Sequence, residues 1–111
     1  EAFNFGPHAN HNFSVRQVID EMSKYWSQVR WNDTSEVQKH LHEAGLLKLN
    51  CDKASSYLNW QANLDFKETI KFTSEWYYDF YKSDIKMINK TEKQITEYEN
   101  IAKEKNLKWT E

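Results

Sequence analysis

The sequence predicts an α+β domain that is mostly helical, with two or three short strands and about four helices. Three observations carry that expectation. Apolar residues recur at three- and four-residue intervals in three long stretches, the spacing of one helix face. Residues that open helices stand immediately before those stretches. Between them lie apolar runs of only three or four residues, too short for helices and bounded by polar or turn-forming residues.

Ala2-Phe3-Asn4-Phe5 reads as a short strand stopped by Gly6-Pro7, the chain's one proline and one of its two glycines. A strand there needs neighbours, because a lone strand leaves its amides and carbonyls unpaired. Ser14 reads as a helix N-cap. Behind it Val15, Val18, Ile19, Met22, Tyr25 and Trp26 form an apolar stripe, with Arg16, Gln17, Asp20, Glu21 and Lys24 on the outer face, so the helix is expected over 14–27. Val29-Arg30-Trp31 is a candidate strand, residues 32–41 are polar and irregular, and Leu46–Leu49 is a second extended run. Asn50 or Asp52 can cap a short helix through Ala54, Tyr57 and Leu58. Asp65 and Glu68 have the spacing of a capping box. The helix they open carries Phe66, Ile70, Phe72, Thr73, Trp76, Tyr77, Phe80 and Tyr81. Thr91 and Gln94 repeat that spacing and are expected to open a last helix with Ile95, Tyr98, Ile101 and Ala102 inward. Ser83–Lys90 is the candidate linker.

The 111 residues suffice for one small domain. A net charge of −2 offers no basic excess for nucleic acid or an acidic membrane surface. No apolar run approaches the roughly 20 residues of a membrane-spanning helix. Five Trp, six Tyr and six Phe argue for a packed fold. A single cysteine excludes an internal disulfide and suits a reducing, cytoplasmic compartment.

Several side chains invite a functional reading and have a plainer one. His8, His11, His40 and His42 could include zinc ligands. His8 and His11, however, sit in a polar loop with no cysteine or carboxylate at ligand spacing, so no metal is expected. Cys51 stands at a helix start, where the dipole favours a thiolate, but nothing nearby is arranged as its base. A structural thiol is the expectation. The run Trp76–Tyr81 resembles a base-stacking platform without the positive groove such platforms need, and Glu75 and Asp79 flank it. Core packing is the reading adopted. Tyr78 and Lys82 have the spacing of a reductase Tyr/Lys pair, here by chance, with no cofactor lobe around them. Neither glycine sits in a Gly-rich turn between strand and helix.

The segment His42-Glu43-Ala44-Gly45-Leu46-Leu47-Lys48-Leu49-Asn50-Cys51-Asp52-Lys53-Ala54, closed by Leu58-Asn59-Trp60 and followed by Thr73–Tyr81, resembles the C-terminal segment of CDP-glucose 4,6-dehydratases. These are extended short-chain dehydrogenases/reductases of the NAD-dependent epimerase/dehydratase family. Asn59 replaces the glycine and Ala62 the proline of that superfamily's usual pattern. Asn still suits a left-handed helix terminus.

The resemblance implies the C-terminal substrate lobe of a two-lobed reductase, here a single domain over 1–111. Residues 1–28 would be the last strand and helix of the nucleotide-binding sheet, 29–82 the substrate lobe, and 83–111 a C-terminal helical extension. It implies a lyase of nucleotide-sugar metabolism and surface-polysaccharide biosynthesis that uses NAD. It also implies that this chain holds neither NAD nor the catalytic residues, and so is inactive alone. Carried over to this sequence, only His42 and Glu43 qualify as substrate contacts, with Glu43 the stronger. A carboxylate can accept from ribose hydroxyls and an imidazole can donate to a phosphate. On spacing alone they are a solvated pair in a loop. The expected partners are a CDP-sugar and either a missing N-terminal lobe or a second copy. The alternative is a non-enzymatic module that self-associates or binds a partner.

Overall fold

In the computed structural model, residues 1–32 and 48–111 are described. Helices form where a capping side chain meets an apolar stripe. Helix α1 (Val15–Met22) opens on Ser14, whose hydroxyl accepts from the Gln17 amide at 3.2 Å while Gln17 Oε1 accepts from the Ser14 amide at 2.8 Å. It ends about a turn before the expected Ser27. The Ser23 hydroxyl donates to the Asp20 carbonyl at 2.7 Å, and the Lys24 and Tyr25 amides reach back only three residues. That tightens the chain into turns. Two side chains depart from the expected faces. Val15 is exposed, and Glu21, assigned to the outer face, is buried against Lys24 at 2.6 Å. Glu21 holds the Lys24 ammonium above the ordinary lysine range through that hydrogen bond.

Helix α2 (Asp52–Leu58) starts one residue after Cys51. Asn50 accepts from the Asp52 amide at 2.8 Å, an Asx turn that leads the chain into the helix. Ala54 is fully buried. Asn59 takes the left-handed terminus expected of it, with φ 51°, and the Trp60 amide closes the turn on the Ala54 carbonyl at 3.3 Å.

Helix α3 (Phe66–Lys82) opens on the expected capping box, with Asp65 accepting from the Glu68 amide at 2.8 Å and Glu68 from the Asp65 amide at 2.7 Å. Helix α4 (Met87–Glu104) begins a turn earlier than Thr91, so the linker shrinks to Ser83–Lys86. Thr91 and Gln94 therefore lie inside α4 and cap nothing. Thr91 accepts from the Trp76 indole at 2.9 Å, and Gln94 donates to the Phe72 carbonyl at 2.8 Å. The two side chains lash α4 to α3. Ile95, expected inward, is 54% exposed. Asn106, at φ 55°, ends α4, and a 3₁₀ turn follows over Lys108–Thr110.

No strand occurs among the described residues. Ala2–Phe5 and Val29–Trp31 are irregular, and so are Lys48 and Leu49 of the third candidate. A strand exists only through its partners' hydrogen bonds. Those the N-terminal segment makes run instead to side chains and to isolated carbonyls. The mostly helical part of the expectation holds.

Helix α3 packs against both α1 and α4. The buried apolar side chains among the described residues are Ala54, Ile70 and Ala102, joined by the polar Glu21, Asn63 and Ser74. Two of those three apolar side chains are alanines, so the core between the helices is thin.

Candidate functional site

The N-terminal segment crosses the chain that links α2 to α3. Phe5 meets Trp60 edge-on at 5.1 Å, and Phe13 stacks on Phe66 at 3.7 Å. Between these aromatic pairs opens a cleft of about 320 Å³, with Asn63 and Tyr98 also in its lining. Asn63 is buried and donates to the Tyr98 carbonyl at 2.9 Å. Lys105 spans from the Asn63 carbonyl, 2.5 Å, to the Glu68 carboxylate, 2.7 Å. That cross-tie holds the α2–α3 connection onto α4 and fixes the cleft's floor.

A second cleft, of about 270 Å³, runs along Gly6–Ala9 and Leu49–Asp52 and shares Trp60 with the first. Its walls are close. A methyl group on Gly6 would lie 3.5 Å from Cys51 Sγ. Asn4 donates to the Asn50 carbonyl at 3.3 Å, and Lys53 donates to the Ala2 carbonyl at 3.1 Å while pairing with Glu1 at 2.9 Å. Lys48 donates to the Ala9 carbonyl. The Lys48 ammonium thus reaches a residue of the cleft wall, Ala9, while the Lys53 ammonium is held by Glu1 and Ala2, which do not line it.

Lys48 and Lys53 were not singled out in the sequence, although both lie inside the segment that carries the resemblance. Their signal was position: one on each side of Leu49–Asp52, with Lys53 at an exposed position of α2. A larger groove of about 840 Å³ joins Leu58–Gln61 to Lys105–Trp109 and holds none of the candidate ligands.

His42 and Glu43, the substrate contacts expected from sequence, lie outside the described residues. So do His40, Gly45 and the first half of the Leu46–Leu49 run. His8 and His11 approach edge-on at 5.8 Å, and no group of three His, Cys, Asp or Glu converges among the described residues. Cys51 is a free, half-buried thiol. Tyr78 and Lys82 lie at the end of α3, and Tyr78 meets Trp26 edge-on at 6.0 Å.

Among the described residues, Gly6 leads through Pro7 into a loop rather than directly into a helix, so it forms no amide-lined helix start of the kind that holds a pyrophosphate. No helix of the described residues is long and apolar enough to cross a membrane.

No protein-family model and no solved structure matches the chain. Its sequence nonetheless points to a distant relationship with part of a nucleotide-sugar enzyme. The relative is the CDP-glucose 4,6-dehydratase of Salmonella typhimurium strain LT2, 29% identical over 101 residues. The alignment covers 88% of this chain and 27% of that protein, so the chain spans about a quarter of its relative's length.

Proposed function

We propose that the chain is the C-terminal, substrate-facing part of a CDP-glucose 4,6-dehydratase-like enzyme of deoxysugar biosynthesis. The observation that carries this reading is the similarity to the Salmonella enzyme across most of the chain. The geometry supports it in two ways. The N-terminal segment has strand-like composition and no strand partner among the described residues, as a sheet strand would without its sheet. The second cleft is built in part from Leu49–Asp52, directly after the His42–Lys48 stretch, and the Lys48 ammonium is tied to Ala9 in its wall. His42 and Glu43 are proposed to contact the nucleotide part of a CDP-sugar, with Glu43 accepting from ribose hydroxyls. The redox half of the reaction, and NAD with it, belongs to sequence this chain does not contain. The chain alone is therefore inactive as a dehydratase.

Thermal unfolding in the presence of CDP or of NAD tests this reading. CDP should raise the melting temperature, Glu43→Gln should remove that rise, and NAD should do nothing. Stabilisation by NAD alone, or no response to CDP at any concentration, overturns it. The coding DNA upstream of Glu1 offers an independent check, since a Gly-rich nucleotide-binding segment is expected there.

A further inference from the structure

Exposed aromatic rings gather in two places. On α3, where sequence periodicity predicts core packing, Tyr77, Phe80 and Tyr81 are 45%, 52% and 64% exposed. Those rings depart from that expectation. On the N-terminal segment Phe5 and Phe13 are also exposed, but each is docked on a ring of the body, Phe5 on Trp60 and Phe13 on Phe66.

The start of that segment is gathered by α2. Lys53, in the first turn of α2, donates to the Ala2 carbonyl at 3.1 Å and pairs with the Glu1 carboxylate at 2.9 Å. Its ammonium also stands 4.9 Å from the centre of the Phe3 ring. One cation thus holds three consecutive residues. Asn4 follows with its bond to the Asn50 carbonyl, and Lys48 holds the Ala9 carbonyl. Among the described residues, no backbone–backbone hydrogen bond joins residues 1–13 to the rest of the chain. The Lys53 and Glu1 side chains are 44% and 68% exposed, so their ion pair is weak and is screened by salt.

The surface beneath is fixed without help from the segment. Lys105 bridges the Asn63 carbonyl and Glu68, and Asn63 donates to the Tyr98 carbonyl. These ties brace the body wall of the cleft of about 320 Å³ that Phe5 and Phe13 line from the other side. Helix α1 likewise closes its own capping box at Ser14. Phe13, immediately before that cap, is the root from which the preceding residues swing.

We infer that residues 1–11 form a strap, latched by Lys53, that closes over the aromatic wall of Trp60, Phe66 and Tyr98 and uncovers it when the latch opens. Release gives up one edge-on ring contact at Phe5, one exposed ion pair with its cation–π contact, and three side-chain hydrogen bonds. Water replaces those hydrogen bonds at small net cost. The braced wall stays behind as a formed surface. Strap and latch stand apart from the nucleotide-sugar reading, and either can fail without the other.

Chymotrypsin cleavage after Phe5 in the full chain tests this. A protease binds its substrate extended and free of other contacts, so slow cleavage tracks the population of the open strap. The native chain should be cleaved more slowly than a peptide of residues 1–13, which has no body to dock on. Lys53→Met leaves the cleaved sequence unchanged and should speed cleavage by about fivefold, roughly the worth of one exposed ion pair with its cation–π contact. Lys53→Arg should restore most of the protection. Salt gives a readout that does not depend on a variant folding. Raising sodium chloride from about 0.05 M to about 1 M shortens the screening length to roughly 3 Å. It should speed cleavage of the native chain severalfold relative to the peptide, and Lys53→Met should respond less. Helical circular dichroism should stay constant throughout. A native chain cleaved at the peptide's rate overturns the inference. So does a rate indifferent to Lys53→Met or to salt, or an acceleration that comes with loss of helix.

Discussion

The α3–α4 hairpin and the N-terminal segment are built on opposite principles. Every strong tie in the hairpin is made by residues close in sequence or by facing helices. It has the Asp65–Glu68 capping box, the Trp76–Thr91 and Gln94–Phe72 hydrogen bonds, and Lys90 between Glu75 and Asp79. The N-terminal segment is tied across 39 to 51 residues by lysine and asparagine side chains reaching single carbonyls. Those ties hold a chain in place without giving it regular structure. An element whose partners are adjacent can complete itself within a short sequence. An element whose partners are remote, or on another molecule, takes whatever the neighbouring side chains offer.

The difference should show first in the response to truncating one apolar side chain in each region. Ile70 is 8% exposed, the buried apolar side chain of α3. Ile70→Ala should cost about 2–4 kcal/mol, from lost burial plus the cavity left behind. Phe5 is 51% exposed and meets chiefly the edge of Trp60. Phe5→Ala should cost about 1 kcal/mol or less. Urea denaturation followed by helical circular dichroism measures both. Equal effects would mean that the N-terminal segment is as much a part of the folding core as the hairpin, and the comparison would fail.

The same contrast explains what could be read from the sequence. The caps at Ser14 and Asp65 and the left-handed Asn59 were legible because each depends on three or four consecutive residues. The strands at Ala2–Phe5 and Val29–Trp31 were misread because composition reports a preference for extended structure and says nothing about whether a partner is present. Thr91 and Gln94 have capping spacing but spend their polar groups on α3, which only the packing of the hairpin reveals. The aromatic run at Trp76–Tyr81 has core periodicity, yet periodicity identifies a face without saying what covers it. Within the candidate site, Cys51 at a helix start was legible. The cleft around Trp60 was not, since Phe5 and Phe13 reach it from far along the chain.

A sharper test lies within the hairpin itself. Ser74 is fully buried on α3 and its hydroxyl has no hydrogen-bond partner among the described residues. A buried hydroxyl left unpaired is destabilising, and alanine is the better helix former by about half a kcal/mol. Ser74→Ala should therefore stabilise the chain by about 1 kcal/mol in urea denaturation. Destabilisation would mean that the hydroxyl finds a partner in solution, and that the hairpin's interior is wetter than its packing suggests.

The smallest expected effect places α1 on the hairpin's side of the comparison. Glu21 is buried, and Lys24 is its partner at 2.6 Å. The pair raises the lysine above its ordinary value of 10.5, first through the hydrogen bond to Glu21 and also through the carboxylate's charge, with desolvation opposing. A group whose value rises on folding favours the protonated folded form. Its contribution is complete below the unfolded-state value and fades as pH climbs through the raised folded-state value. The melting temperature of the native chain should thus exceed that of Lys24→Met by a constant margin from neutral pH to about 10, the unfolded lysine's range. The margin should narrow above that range. A margin that instead narrowed on acidification only, with none of the alkaline loss, would mean that Lys24 contributes nothing as a cation. Glu21 would then be held by some other donor.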